Sequence, residues 1–186
     1  LATEQGEGDL VLPLPRDPLI SAAVLVPLVN HAAGLTILLT QRTDHLLNHA
    51  GQISFPGGRI ESGDKSPEAA ALREAEEEVG LAPHSVELLG RLDDYVTVTG
   101  FHVVPVVGLL QPPLDLAPDP FEVAEIFELP LRIVLDPLNH LRRSRLTDAG
   151  AERWFYAIEH EGRIIWGATA AMLVNLHDVL ADRWTF

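Results

Sequence analysis

Cysteine is absent from the 186 residues. That excludes disulfides, thiolate metal ligands and a cysteine nucleophile together. It also leaves no redox signal for a compartment, so a cytoplasmic location is the default expectation. Lysine is nearly absent too: Lys65 stands alone and the remaining cations are arginines. With 13 Lys+Arg against 27 Asp+Glu, the formal charge is −14. A generally basic surface is thereby excluded, and with it non-specific binding of nucleic acid polymers. An anionic small molecule is not excluded, because a pocket can gather a few arginines or divalent cations inside an acidic surface. There is no run of roughly 18 apolar residues, so no membrane span is expected. The first twenty residues carry Glu4, Glu7 and Asp9 without a basic start, unlike a signal peptide. Internal repeats and low-complexity tracts are also missing, and no feature specifies an oligomeric state.

What is present suits a globular fold. Hydrophobic residues make up 47% of the chain, enough for a sizeable core. The expectation is a single domain over residues 1–186, with 1–18 a proline-punctuated N-terminal arm. Ile20 to Val29 and Leu35 to Thr40 read as strands joined by a tight connection. Ile53 to Phe55 reads as a short strand that Pro56-Gly57-Gly58 ends. Val86 to Leu92, Phe101 to Leu110 and Val123 to Phe127 read as further strands, with a proline-rich loop before the last and a short helix starting at Pro130 or Leu131. Leu138 to Gly150 reads as a polar flap. Arg153 to Ile158 and Arg163 to Trp166 form a hairpin, and Ala168 to Leu180 a last helix. The class is mixed α/β without regular strand–helix alternation.

The clearest element is a helix from Pro67 to Val79. Ser66 can cap it, Pro67 suits its first position and Gly80 can end it in the left-handed conformation. Leu72, Ala75 and Val79 form its apolar stripe. Glu74, Glu77 and Glu78, spaced by three and four, place three carboxylates on one face. Such like charges repel, by roughly a few tenths of a kcal/mol per exposed pair. A hard divalent cation, Mg²⁺ or Mn²⁺, would reverse the penalty. A solvated acidic face is the plain alternative. The Gly57-Gly58 turn ahead of the helix favours the cation, because glycines let a backbone carbonyl or amide approach a ligand closely.

The segment from Gly58-Arg59-Ile60-Glu61-Ser62-Gly63-Asp64 into Arg73-Glu74-Ala75-Glu76-Glu77-Glu78-Val79-Gly80-Leu81 resembles the Nudix box. The resemblance implies an α/β/α sandwich around a mixed β-sheet and hydrolysis of a nucleoside diphosphate linked to another group. It implies Glu77 and Glu78 as principal metal ligands and Glu74 as a ligand or water-activating base. Arg73 would orient a box glutamate, and the Gly57 carbonyl would be a main-chain ligand. The chain departs from the usual box at Asp64, which replaces a glutamate and stands one residue farther from Arg73. That leaves Asp64 open between a ligand and a salt-bridge role.

A second block, Leu38-Leu39-Thr40-Gln41-Arg42, then Leu46, then His49-Ala50-Gly51-Gln52-Ile53-Ser54-Phe55-Pro56-Gly57-Gly58, resembles the coenzyme A pyrophosphatase branch of the Nudix hydrolases. That branch cuts coenzyme A into adenosine 3′,5′-bisphosphate and 4′-phosphopantetheine. The substrate so implied is coenzyme A or a derivative, with no nucleic acid polymer and no membrane as partner. Two alternatives stand beside it: a Nudix hydrolase of another nucleoside diphosphate derivative, such as ADP-ribose or a dinucleotide, and a non-catalytic nucleotide-binding module.

Around this core several residues keep two readings. Arg42 serves a surface ion pair or a diphosphate or 3′-phosphate contact. His49 and Gln52 contact substrate, orient the glycine loop or satisfy a backbone group. Glu122 or Glu125 adds a carboxylate from outside the helix, and the resemblance favours Glu122 as a further metal ligand. Arg142, Arg143 and Arg145 either balance Asp136, Asp148 and Glu152 or receive phosphate. Trp166 and Met172 read as core. The chemistry expected is metal-assisted attack of water on a diphosphate phosphorus, with no covalent enzyme intermediate.

Overall fold

The computed structural model describes residues 18–44, 51–147 and 150–182. The expected N-terminal arm lies almost wholly outside these residues, and so do Leu46, His49 and Asp148.

Period-two burial organises the main sheet. In β1 (Ile20–His31), Ala22, Val26 and Leu28 enter one core, while Ala23, Leu25 and Val29 enter another on the opposite face. β2 (Gly34–Arg42) and β7 (Phe101–Leu110) divide their side chains in the same way. A strand apolar on both faces must be covered on both, and these three form the middle of the sheet. The path runs β3-β2-β1-β7-β5, where β3 is Ile53–Ser54 and β5 is Val86–Arg91. β4 (Gly57–Arg59) adds to β1, β6 (Tyr95–Val96) to β7, and β8 (Val123–Pro130) to β2. β1 and β7 pair parallel and the other pairs are antiparallel, so the sheet is mixed.

Helix α1 (Pro67–Val79) covers one face. Ala70, Ala71, Ala75 and Val79 are fully buried there, and the small side chains let the helix approach β1 and β4 closely. Ser66 Oγ accepts from Ala69 N at 3.2 Å and Gly80 adopts φ 71°, so both caps read from the sequence are present. The other face is covered by α2 (Leu131–Leu135), α3 (Ala168–Asp182) and a second sheet, ordered β11-β10-β9. These strands are β9 (Leu141–Leu146), β10 (Glu152–His160) and β11 (Arg163–Trp166). Met172 is buried in that core, and Trp166 packs edge-on against Phe155.

Two expectations are corrected. Part of the polar flap over Leu138 to Gly150 is β9, whose backbone pairs with β10 from Leu146↔Glu152 to Leu141↔Ala157. An arginine-rich edge strand shows no apolar alternation, so its pairing partner rather than its own pattern makes it a strand. Pro56-Gly57-Gly58 ends β3 but does not end strand structure. Gly57, Gly58 and Arg59 pair with Val24, Ala23 and Ala22, because the backbone of β1 offers a ladder that glycine can approach. A Cβ on Gly57 would fall 2.5 Å from Ala23 O.

Candidate active site

The close approach of α1 to β4 sets the site. Gly58 lies under Glu74, and a Cβ on Gly58 would meet the Glu74 carboxylate at 2.5 Å. The two glycines thus let an extended backbone and a carboxylate-bearing helix touch. The C-terminal end of α1 is fixed by the proline-rich loop: Ala117 N donates to Val79 O and Asp119 N to Glu78 O, each at 2.9 Å. Gly80 is needed twice, for its positive φ and because a Cβ there would press on Ala117 N at 2.8 Å.

That same loop delivers Glu122. Asp119 O accepts from Glu122 N and Val123 N, and Glu122 O accepts from Thr43 N at 3.0 Å. Buried Thr43 also donates through Oγ1 to Phe121 O at 2.8 Å. Between β2 and β8 the register slips by one residue after Gln41, so Val123 rather than Ala124 stands opposite Arg42. Such bulges re-aim side chains beside functional sites. Here the slip brings Glu122 within reach of Arg42, whose Nη2 stands 3.5 Å from Glu122 Oε2 and whose Nη1 stands 3.7 Å from Glu78 Oε1.

Glu78 is the deepest carboxylate, 6% exposed. Burial, reinforced by the charges of Glu122 and Glu74, pushes its pKa up to about 8 against the opposing pull of Arg42 and a hydrogen bond from the Gly57 backbone. Burial also raises the pKa of Glu74, against Arg73. Glu77 sits outermost on the face and is largely exposed.

Arg73 spends all five of its N–H donors on this region. Nε and Nη2 clamp Asp64 at 3.1 and 3.0 Å, Nη1 reaches Glu74 at 2.9 Å and Glu77 at 3.0 Å, and Nη2 also bonds Arg59 O at 3.1 Å. The Asp64 carboxyl is held below the usual range by Arg73 and the Glu61 amide. Asp64 therefore has the salt-bridge role, and the residue inserted after it leaves the helix register undisturbed.

The structure brings together Gly57, Arg73, Glu74, Glu77, Glu78, Glu122 and Arg42. It does not gather their acids into one closed cage: among the described residues no three His, Asp or Glu side chains form a metal-holding group. The two arginines divide them, Arg73 holding Glu74 and Glu77, Arg42 facing Glu78 and Glu122. The donor set nevertheless fits a hard divalent cation, being all carboxylate oxygen with a buried member whose ion-pair partner among the described residues is the loose Arg42. Glu78 and Glu122 are the residues that would hold it, with Glu77 at the rim and Glu74 beside them as a further ligand or a base.

Other expected contributors lie elsewhere. Glu125 is taken by Arg163 at 2.6 Å, whose guanidinium stacks over Phe127. Arg143 pairs with Glu159 across the second sheet, and Arg142 lies over the Trp154 and Tyr156 rings. Gln52 contributes its backbone carbonyl to Arg42 N at 2.9 Å. The sequence reading missed Thr43 and Asp119, whose bonds position Glu122. Asp119 just ahead of Pro120 was a readable turn signal, whereas nothing local marked Thr43.

Comparison with known proteins settles the relationship. Residues 19–149 match the NUDIX domain family. The chain belongs to the Nudix family. It is 44% identical over 160 residues to the uncharacterized Nudix hydrolase NudL of Citrobacter koseri, covering 83% of this chain and 80% of that one. The crystal structure of the Nudix hydrolase RenU of M. smegmatis superposes with a TM-score of 0.59 at 20% identity, covering 88% of this chain and 86% of that chain. A MutT/nudix family protein from Enterococcus faecalis gives 0.54 at 21% identity, covering 92% and 65%. At such identities the likeness speaks for the fold, which is the Nudix α/β fold with its mixed sheet between helices. As a Nudix hydrolase the protein acts on nucleoside diphosphate derivatives, and hydrolases of this family generally use divalent cations such as Mg²⁺ or Mn²⁺.

Proposed function

We propose that this Nudix hydrolase cleaves the diphosphate of coenzyme A or a derivative, with Mg²⁺ or Mn²⁺, giving adenosine 3′,5′-bisphosphate and 4′-phosphopantetheine. The observation that carries the diphosphatase reading is the buried Glu78 carboxylate, flanked by Glu74 and Glu122 beside the Gly57-Gly58 turn. A bound divalent cation polarises phosphoryl oxygens and lowers the pKa of water. The chain's own residues supply the rest. Glu78 and Glu122 present oxygen donors from two elements tied together through Asp119. Glu74, with its raised pKa, is placed to accept a proton from attacking water, and Arg73 orients it. The choice of coenzyme A is supported by the resemblance of the Leu38 to Gly58 block.

A second reading is a hydrolase of ADP-ribose or a dinucleotide. It is favoured by the partners of Arg142 and Arg143, both engaged within the second sheet, since a dedicated 3′-phosphate site wants a free cation. The test is kcat/KM on coenzyme A, 3′-dephospho-coenzyme A, ADP-ribose and a dinucleotide with Mn²⁺. Preference for coenzyme A over its dephosphorylated form supports the first reading. A preference for ADP-ribose or a dinucleotide overturns it in favour of the second.

A further inference from the structure

Arg42 has a place in this site that phosphate contact alone does not explain. We infer that Arg42 is an exchangeable counter-cation: its guanidinium competes with a divalent cation for Glu78 and Glu122, and on exchange it turns to the substrate's phosphates. The inference rests on the cation-dependent reading above.

Three observations carry it. First, Arg42 is the ion-pair partner of both carboxylates among the described residues. A buried carboxylate such as Glu78 requires a cationic partner to remain ionised. Second, the pairing is loose. One nitrogen faces each acid at 3.7 and 3.5 Å, outside the 2.7–2.9 Å of a direct charge-assisted bond and without the two-pronged grip a guanidinium gives one carboxylate. Arg73, a helix turn away, shows the tight form at 2.9–3.1 Å. A dication at the same oxygens would carry twice the charge of the guanidinium and could approach to ordinary carboxylate-ligand distances, roughly 2.0–2.6 Å, so it would compete with Arg42 for them. Third, the base of the residue is fixed while its end is not. Arg42 N is bonded to Gln52 O and the β8 bulge sets its register, yet its side chain is 26% exposed. Released from the acids, the guanidinium remains beside the site, free to form a fork with phosphate oxygens.

The arrangement couples the two ligands. Arg42 weakens cation binding by the substrate-free enzyme and strengthens substrate binding once the cation is in, so it acts as a positioning and binding residue rather than a metal ligand.

The test is Mn²⁺ binding by calorimetry on the substrate-free full chain, together with kcat and KM for coenzyme A at saturating Mn²⁺. The proteins are the parent, Arg42→Gln and Arg42→Lys. Arg42→Gln is expected to bind Mn²⁺ about tenfold tighter while KM rises about tenfold and kcat changes little, the scale of one charged contact. Arg42→Lys, which keeps a charge but cannot span both acids, is expected to tighten Mn²⁺ binding about threefold. It carries the test if Arg42→Gln does not fold. Mn²⁺ affinity unchanged or weaker in the folded variants overturns the inference and leaves the functional reading standing. Absence of Mn²⁺ binding by the parent and by both variants overturns both.

Discussion

Two arginines serve the acidic face of α1, in opposite ways. Arg73 makes short, directed bonds to three carboxylates and a carbonyl, and its partner Asp64 has a lowered pKa. Arg42 stands off from Glu78 and Glu122 by 3.5 Å or more, and Glu78 has a pKa pushed up to about 8. The first cluster is satisfied and holds the loop to the helix. The second is under-compensated: burial disfavours the charge of Glu78, and Arg42 offsets it only from a distance. A stable ion pair and a reactive site can thus be built from the same residue types on one helix, separated by burial and by how closely the cation approaches.

The largest effect that sharpens this contrast is expected at Glu78. Glu78→Gln should lower kcat/KM for the diphosphate substrate by about 100-fold or more, since even indirect supports of a metal site are worth about 10–100-fold. The same change should raise thermal stability at pH 7–8 without added cation, by on the order of 1–3 kcal/mol. The sign follows from the raised pKa. Between the ordinary carboxylate value of 4.5 and about 8 the folded protein binds more protons at Glu78 than the unfolded chain. Stability falls as pH rises through that window, and the amide removes the loss. Differential scanning calorimetry at pH 5 and pH 8 checks it: the gain should be large at pH 8 and nearly absent at pH 5. Equal gains at both would break the contrast.

Asp64→Asn should act the other way. The melting temperature should fall at neutral pH, and activity should fall less than in Glu78→Gln, by about tenfold, because Asp64 works through Arg73. Its lowered pKa means that its contribution is present above 3.8 and is lost as pH falls below it. Parent and variant melting curves should therefore converge in acid. A melting temperature unchanged at pH 7 would contradict the clamp. The smallest effect belongs to the Glu68–Arg91 pair at 2.6 Å, exposed on the far part of the helix. Glu68→Gln should leave activity unchanged and alter the melting temperature only marginally, as exposed pairs do.

Much of α1 was legible in the sequence because its determinants are local: Ser66, Pro67 and Gly80 set its ends, and spacing sets its faces. The placement of Glu74, Glu77 and Glu78 on one face followed from the same periodicity. Their unequal depth did not, since the Glu78 side chain faces Arg42 of β2 and Gly57 of β4, which lie far from it in sequence. The preference for Glu122 over Glu125 came from resemblance, and its physical basis is the β2–β8 bulge, a property of two strands distant in sequence. β9 escaped because its arginines carry no alternation. The role of Asp64 became plain only with the five bonds of Arg73 in view.

The proposed activity is hydrolysis within the diphosphate of coenzyme A, dependent on a divalent cation. Phosphorus NMR of coenzyme A incubated with the purified protein and Mg²⁺ tests it most directly. The expected result is loss of the diphosphate signals and two new phosphomonoester signals, from the adenosine 5′-phosphate and 4′-phosphopantetheine, with the 3′-phosphate retained and no reaction in excess chelator. Loss of the 3′-phosphate with the diphosphate intact, or cleavage that persists in chelator, would contradict it.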